Sequence, residues 1–289
     1  MISSCISEEK ISVTHSMYIK KLEDNRVYVR AMDSKHVLEK NVEIVESDDF
    51  TEAYIPFFEI SKFVTKFKNE ETKFQFKEND ILRVSSGKSY CQVSLKNAEE
   101  SDSVVAMLNA EFCTAINVTK SVVQNIKTKL TGIVAVDNNR PVLNGICLDV
   151  FEGQLYFAAS DGKKLAVYET GVAVEQTDCN KIVIPTEAIS GFCSVCNSDD
   201  VKIYRNDKYI KFECEDTKYY STLVNGEYPD YRRILNSTAN NNVVVNVNKS
   251  ELSDALSFVN VNFEVNKKCD LTIKDGKFAL NFNNNESFE

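Results

Sequence analysis

The chain repeats itself, and the repeat limits its folds more than any local motif does. Displaced by about 128 residues, Asp24 to Lys35 (DNRVYVRAMDSK) falls on Glu152 to Lys163 (EGQLYFAASDGK). One residue of drift later, Ile55-Pro56, Ile60-Ser61 and Phe63 fall on Ile184-Pro185, Ile189-Ser190 and Phe192, and the stretch from Phe74 to Leu95 overlies that from Lys202 to Leu223. A third copy begins where Asn117 to Ser121 matches Asn246 to Ser250. It continues where Leu155-Tyr156-Phe157 matches Phe278-Ala279-Leu280 after an Asp275-Gly276 turn. Each match is weak alone; their common order is the signal. A period of this length is the size of a domain, far too long for a solenoid unit. The sequence therefore predicts three copies of one module: residues 1–108, N-terminally incomplete; 109–236, complete; and 237–289, C-terminally incomplete.

Within each copy the pattern is helix, paired strands, helix, paired strands, an α+β arrangement. Val118, Val122, Val123, Ile126, Leu130 and Ile133 follow helical spacing. Leu155 to Ala159 and Lys164 to Tyr168 read as strands around an Asp-Gly turn. Pro185 opens a helix to about Val195, as proline does at a first turn, and Pro56 opens its counterpart to Asn69. Val201 to Tyr204, Tyr209 to Cys214 and Lys218 to Val224 read as further strands. Asn248 with Glu251 predicts a capping box for a helix through Phe258. Asn97 to Ser103 and Asn236 to Asn242 read as linkers.

Composition narrows the function classes. With 43% hydrophobic residues in 289, the chain can bury more than one core. No segment approaches the run of roughly 18 apolar residues that a membrane helix needs, and the first twenty residues are unlike a signal peptide; the expected location is cytoplasmic. Nine cysteines, an odd number, suit reduced thiols. Two histidines, His15 and His36, leave little for imidazole catalysis, and neither a P-loop nor a Gly-x-Ser-x-Gly element is present. Cys193 and Cys196 form a CxxC without a second ligand pair, which reads as helical thiols packed inward. The expectation is a non-enzyme with no cofactor and no metal.

Charge is unevenly placed. The net charge of −9 argues against a protein that coats nucleic acid with its whole surface. Yet residues 112–136 hold no Asp or Glu, and Lys120, Gln124 and Lys127 share one helix face opposite the apolar stripe. On the first copy's helix Lys62 and Lys66 sit together in the same way. These five residues are the candidate DNA-facing set: a surface that meets phosphates without reading bases. Ordinary solvated helix faces are the competing explanation.

Three strings carry a family resemblance. Arg140 to Gly145 (RPVLNG), Ala159 to Val167 (ASDGKKLAV) and Leu223 to Ile234 (LVNGEYPDYRRI) resemble the bacterial DNA polymerase III beta subunit, the sliding clamp. The resemblance covers the middle copy and, through the repeat, much of its neighbours. It implies clamp-type domains with helices lining an inner face and antiparallel sheets outside, two crescents closing into a homodimeric ring around double-stranded DNA. It implies a replicative DNA polymerase, a clamp loader and other clamp-motif peptides as partners. The family's peptide pocket maps to Leu143, Ser160, Gly162, Lys163, Lys164, Leu165, Pro229, Arg233 and Ile234. Leu143, Leu165, Pro229 and Ile234 would supply apolar walls, and Gly162 room for close backbone approach; the bland alternative is core residues beside an ordinary turn. Pro141 and Val142 replace a frequent aromatic pair, and Lys163 and Lys164 stand where the family often has His and Arg, which keeps charge but loses planar bonding. A clamp-derived protein that keeps the pocket but forms no ring is the alternative reading.

Overall fold

The computed structural model describes residues 16–23, 25–45, 50–67, 71–95, 102–136, 139–175, 181–238, 245–262, 270–274 and 277–281. These fall into two compact units, Met1–Tyr231 and Arg232–Glu289.

The repeat is reproduced element by element. The first copy runs β1 (Ser16–Lys21), β2 (Arg26–Met32), β3 (His36–Glu43), β4 (Glu52–Pro56), α1 (Phe57–Val64), β5 (Thr72–Lys77), β6 (Ile81–Ser86) and β7 (Ser89–Ser94). After α2 (Asp102–Leu108), the middle copy opens with β8 (Ile116–Thr119) and α3 (Lys120–Leu130). It then repeats the first copy's order: β9 (Gly145–Phe151), β10 (Gln154–Ser160), β11 (Leu165–Ala173), β12 (Ile182–Pro185), α4 (Thr186–Val195), β13 (Asp200–Arg205), β14 (Tyr209–Cys214) and β15 (Thr217–Thr222). Even left-handed turn positions coincide: Asn25 (φ 54) with Gly153 (φ 71), and Gly87 (φ 56) with Glu215 (φ 42).

Strand pairing ties the first two copies into one body. An eight-stranded antiparallel sheet runs β4-β1-β2-β3-β15-β14-β13-β8, with its seam between β3 and β15, where Leu38 faces Tyr219 and Val37 faces Tyr220. The middle copy's second sheet is β11-β10-β9-β12, and the first copy's is β5-β6-β7. Within the middle copy each half lends its opening strand to the other: β8 pairs with β13 (Val118 opposite Val201), and β12 pairs with β9 (Ile184 opposite Ile146).

Helices α1, α3 and α4 share one side of the eight-stranded sheet. Ala31, Leu38, Val118, Ile203, Phe212 and Tyr219 pack with Val122, Val123 and Ile126 of α3 and Ile189 and Phe192 of α4. Met17, Ile19 and Val27 pack with Ile60 of α1, and Met17 is register partner to Ala31, so both clusters lie on one face. Gly191 lets α4 come close, since a Cβ there would lie 2.3 Å from the Tyr219 hydroxyl oxygen. Helix α2 covers the seam from the other side, with Val104 and Met107 against Met32, Val37 and Tyr220.

Three expectations shift. Val118 belongs to β8 rather than to the helix, because its β-branched chain pairs with Val201 in the sheet and the helix begins only at Lys120. Helix α1 stops at Val64, short of Asn69, where Lys66 and Phe67 donate to the carbonyls of Phe63 and Val64 and tighten the chain into 3-10 turns. Helix α2 takes the end of the first expected linker, because Val104 and Met107 find an apolar surface over the seam.

The second unit holds most of α5 (Tyr231–Thr238), which begins at the last residue of the first unit and enters the second expected linker, then α6 (Lys249–Asn262) and the hairpin β16 (Asp270–Lys274) with β17 (Lys277–Asn281). Asn248 caps α6: its Oδ1 accepts from the backbone N–H of Ser250 at 2.9 Å and of Glu251 at 3.3 Å. The order α6-β16-β17 restates α3-β9-β10. The Asp275-Gly276 turn lies outside the described residues.

Candidate partner pocket and helical face

The four-stranded sheet is buried on both sides, which is why Ile146 to Leu148, Phe157 to Ala159 and Ile182 to Ile184 read as continuous apolar runs rather than alternating ones. Ile146, Leu148, Leu155, Phe157 and Ala159 face the helices. On the opposite face Cys147, Ala158 and Val183 join Ala135, Leu143, Tyr228 and Tyr231 in a separate cluster, edged by half-buried Val142, Leu165, Val167 and Val224. This second cluster is the candidate pocket floor.

Of the nine pocket residues, seven lie in the first unit. Leu143 is buried in this cluster at the end of a 3-10 turn (Pro141–Asn144), Leu165 is half-buried at its edge, and Pro229 is exposed beside it. Ser160, Gly162, Lys163 and Lys164 form the turn between β10 and β11. The Ser160 hydroxyl donates to the Lys164 carbonyl at 2.8 Å and accepts from the Gly162 N–H at 3.0 Å. Asp161 Oδ1 accepts from the N–H groups of Lys164 (2.8 Å) and Lys163 (2.9 Å), and these bonds hold its carboxyl below the usual range. The Lys164 ammonium lies 3.5 Å from Asp161 Oδ2 and 3.4 Å from the Gly132 carbonyl, whereas the Lys163 side chain is exposed. Gly162 has φ +85, and a Cβ there would stand 2.9 Å from both Arg140 Nη atoms, so the guanidinium lies directly over the turn. Arg233 and Ile234 are on α5 in the second unit, both exposed, Ile234 at 53%.

The residues that sequence reasoning passed over are Tyr228, Tyr231, Asp149 and Lys181. Tyr228 and Tyr231 are buried on either side of exposed Pro229 and Asp230. The Tyr231 hydroxyl donates to Asp149 Oδ2 at 2.7 Å, and the Lys181 ammonium stands 3.9 Å from the same oxygen. The available signal was Asp149 itself, a single acid inside the apolar run of β9, where a carboxylate needs partners.

The candidate DNA-facing residues are all on the helical side. Lys62 on α1 and Lys66 in its closing turn are exposed; on α3, Gln124 is exposed and Lys120 and Lys127 are half-buried. Lys127 and Lys120 flank Cys193 of α4, whose thiol burial raises while these two cations pull it partly back. Lys129, not singled out from the sequence, lies 4.4 Å over the Tyr168 ring, and Asn125 Nδ2 donates to the Tyr168 hydroxyl at 3.1 Å.

The thiol and histidine signals resolve structurally. Cys196 is buried, its thiol pushed up to about 11 by burial and by neighbouring Cys214, so it is held protonated and unreactive. His36 is buried on β3 with Nδ1 3.0 Å from Asp33 Oδ2; His15 lies outside the described residues. Among the described residues no group of three or more His, Cys, Asp or Glu could hold a metal, and no helix is long and apolar enough to cross a membrane.

Comparison with known proteins gives a consistent result. The sequence model of the family described as DNA polymerase III beta subunit, central domain, matches residues 117–230. The beta sliding clamp of Chlamydia pneumoniae is 23% identical over 205 residues, 70% of this chain and 54% of the relative. That of Bacillus subtilis is 20% identical over 242 residues, 83% of this chain and 61% of the relative. The chain thus spans about half the length of the curated relatives it matches. Among solved structures, a sliding clamp (DNA polymerase III subunit beta) from Bartonella birtlesii bound to griselimycin has a TM-score of 0.80 at 18% identity, covering 97% of this chain and 75% of that one. A DNA polymerase III subunit beta from Pseudomonas aeruginosa has a TM-score of 0.75 at 17% identity, covering 90% and 70%. The fold is that of the clamps.

Proposed function

We propose that this chain, whose residues 117–230 match the family model of the DNA polymerase III beta subunit central domain, works as a sliding clamp that tethers a replicative polymerase to double-stranded DNA. The observation that carries the reading is the two-sidedness of the first unit. Lysine-bearing helices α1 and α3 share one side of the eight-stranded sheet. The apolar cluster around Leu143 and Leu165 lies on the face of the other sheet that points away from those helices.

Lys62, Lys66, Lys120, Gln124 and Lys127 would then meet the phosphate backbone. Contacts of this kind carry no sequence information and are individually weak, which permits sliding. The pocket would take a short apolar peptide from the polymerase, the clamp loader or other clamp-binding proteins. Leu143, Leu165 and Pro229 would form its walls and the turn from Ser160 to Lys164 its rim; Arg233 and Ile234, on α5 at the end of the 109–236 module, belong to the same candidate set. The three-module division at 1–108, 109–236 and 237–289 belongs to this reading, as do a cytoplasmic location and the absence of chemistry at the site.

Ring closure is supported by the seam. β7 is the first copy's equivalent of β15, and β11 is the middle copy's equivalent of β3. Among the described residues both are sheet edges, while β15 and β3 pair with each other. Edges of these two kinds are complementary, as β3 and β15 show, so the first unit offers β7 to a β3-type strand and β11 to a β15-type strand, which is the head-to-tail pairing that a homodimeric ring needs.

The test is retention on DNA. The loaded protein should stay on nicked circular DNA through a gel-filtration column and come off when the circle is linearised. Equal retention on both forms, or a strict monomer by light scattering, would replace the ring with a clamp-derived peptide-binding protein.

A further inference from the structure

We propose that Tyr231 and Asp149 are positioning residues for the peptide pocket, acting through the arch that carries Pro229; the inference rests on the pocket reading above.

Asp149 is a buried carboxylate on β9, on the same face as Cys147. Its Oδ2 takes the Tyr231 hydroxyl at 2.7 Å with the Lys181 ammonium 3.9 Å away, and that ammonium also stands 5.2 Å from the centre of the Tyr231 ring. A phenylalanine at 231 would fill nearly the same volume, so packing alone does not call for the hydroxyl. What the hydroxyl adds is a directed bond to Asp149 that a phenyl ring cannot make.

The bond matters because of what lies just before it. Tyr228 and Tyr231 are both buried in the pocket cluster, while Pro229 and Asp230 between them are exposed. The Tyr231 N–H donates to the Pro229 carbonyl at 2.8 Å, closing the arch tightly. Pro229 therefore stands on two buried feet, one of them pinned to β9. With the pin removed, the arch samples more positions, and a bound peptide must order it again before Pro229 can serve as a wall.

The experiment uses the full chain and a fluorescent C-terminal peptide of the replicative polymerase, followed by anisotropy and stopped flow. Tyr231→Phe should weaken binding by about 5–10-fold, mostly through faster release. Asp149→Asn keeps an acceptor for the hydroxyl and should bind within twofold of wild type. Asp149→Leu should match Tyr231→Phe, and the double variant Tyr231→Phe with Asp149→Leu should be no weaker than either. Ile203→Val, in the other core cluster, gives a comparable loss of melting temperature as a control and should leave peptide affinity unchanged. Wild-type affinity in Tyr231→Phe, or an equal loss in Ile203→Val, overturns the positioning role and leaves the pocket reading intact. Failure of the wild-type chain to bind the peptide overturns both.

Discussion

Leu165→Asp is the sharpest test of the pocket. Leu165 opens β11, half-buried at the edge of the cluster that contains Leu143 and Tyr228. Complete burial of a leucine stabilises by about 1.5–3 kcal/mol, so covering its open half with a peptide is worth about 1 kcal/mol. The substituted carboxylate must in addition lose water against an apolar ligand, a cost of about 1–3 kcal/mol that the nearby Lys163 and Lys164 reduce. The sum is about 2–3 kcal/mol, or roughly 30–150-fold in affinity at 1.4 kcal/mol per tenfold. The fold should survive, because the side chain is at the rim and the backbone pairing of Leu165 with Ser160 is untouched. A melting temperature within about 4 °C of wild type is expected. Anisotropy with the labelled polymerase peptide reads the affinity, and calorimetry the stability. A folded variant that binds within twofold of wild type would refute the assignment of Leu165 to the pocket.

Other predictions concern separate parts of the molecule. Lys120→Glu with Lys127→Glu should reduce retention on circular DNA and lower the salt dependence of DNA binding by about 2 in slope, while peptide affinity stays unchanged; normal polymerase processivity would argue that this face does not meet DNA. Tyr228→Phe removes a buried hydroxyl that faces the Ser160 backbone and should cost at most about 1 kcal/mol in a thermal melt; a much larger loss of stability would mean that the hydroxyl is held by more than that one group. The Asp161 carboxyl is depressed, so the support it gives the Ser160–Lys164 turn is complete above the ordinary value of 3.8 and is lost only as pH falls through its lower folded value. Carboxyl chemical shifts should therefore show Asp161 titrating below 3.8, and peptide affinity should not change through Asp161 between pH 5 and pH 8; a midpoint above 3.8 would contradict the turn geometry.

Much of the architecture was legible because repeats and apolar periodicity are local properties. The alignment of Asp24 to Lys35 with Glu152 to Lys163 already marked one stretch recurring in two copies, and Asn248 with Glu251 located a helix start. Val118 was misread because a β-branched residue at helical spacing gives no sign of the strand that will pair with it; Val201 lies far along the chain. Helix α2 was missed for the same reason, since the surface it covers is made by Met32, Val37 and Tyr220 from two different copies. For the candidate pocket, the resemblance singled out Leu143, Leu165 and the turn at Gly162, and the structure brings Leu143 and Leu165 into one apolar cluster. The tether between Asp149 and Tyr231 was not, although the lone acid in β9 marked one end of it.

The exchange of opening strands between the halves of the middle module has a practical consequence. With β8 stitched to β13 and β12 stitched to β9, neither half owns a complete sheet. A cut of the chain between β11 and β12 should leave two pieces that cannot persist separately yet reassemble when mixed. The same interlocking makes the module the smallest piece in which this architecture can be shortened, copied or transplanted.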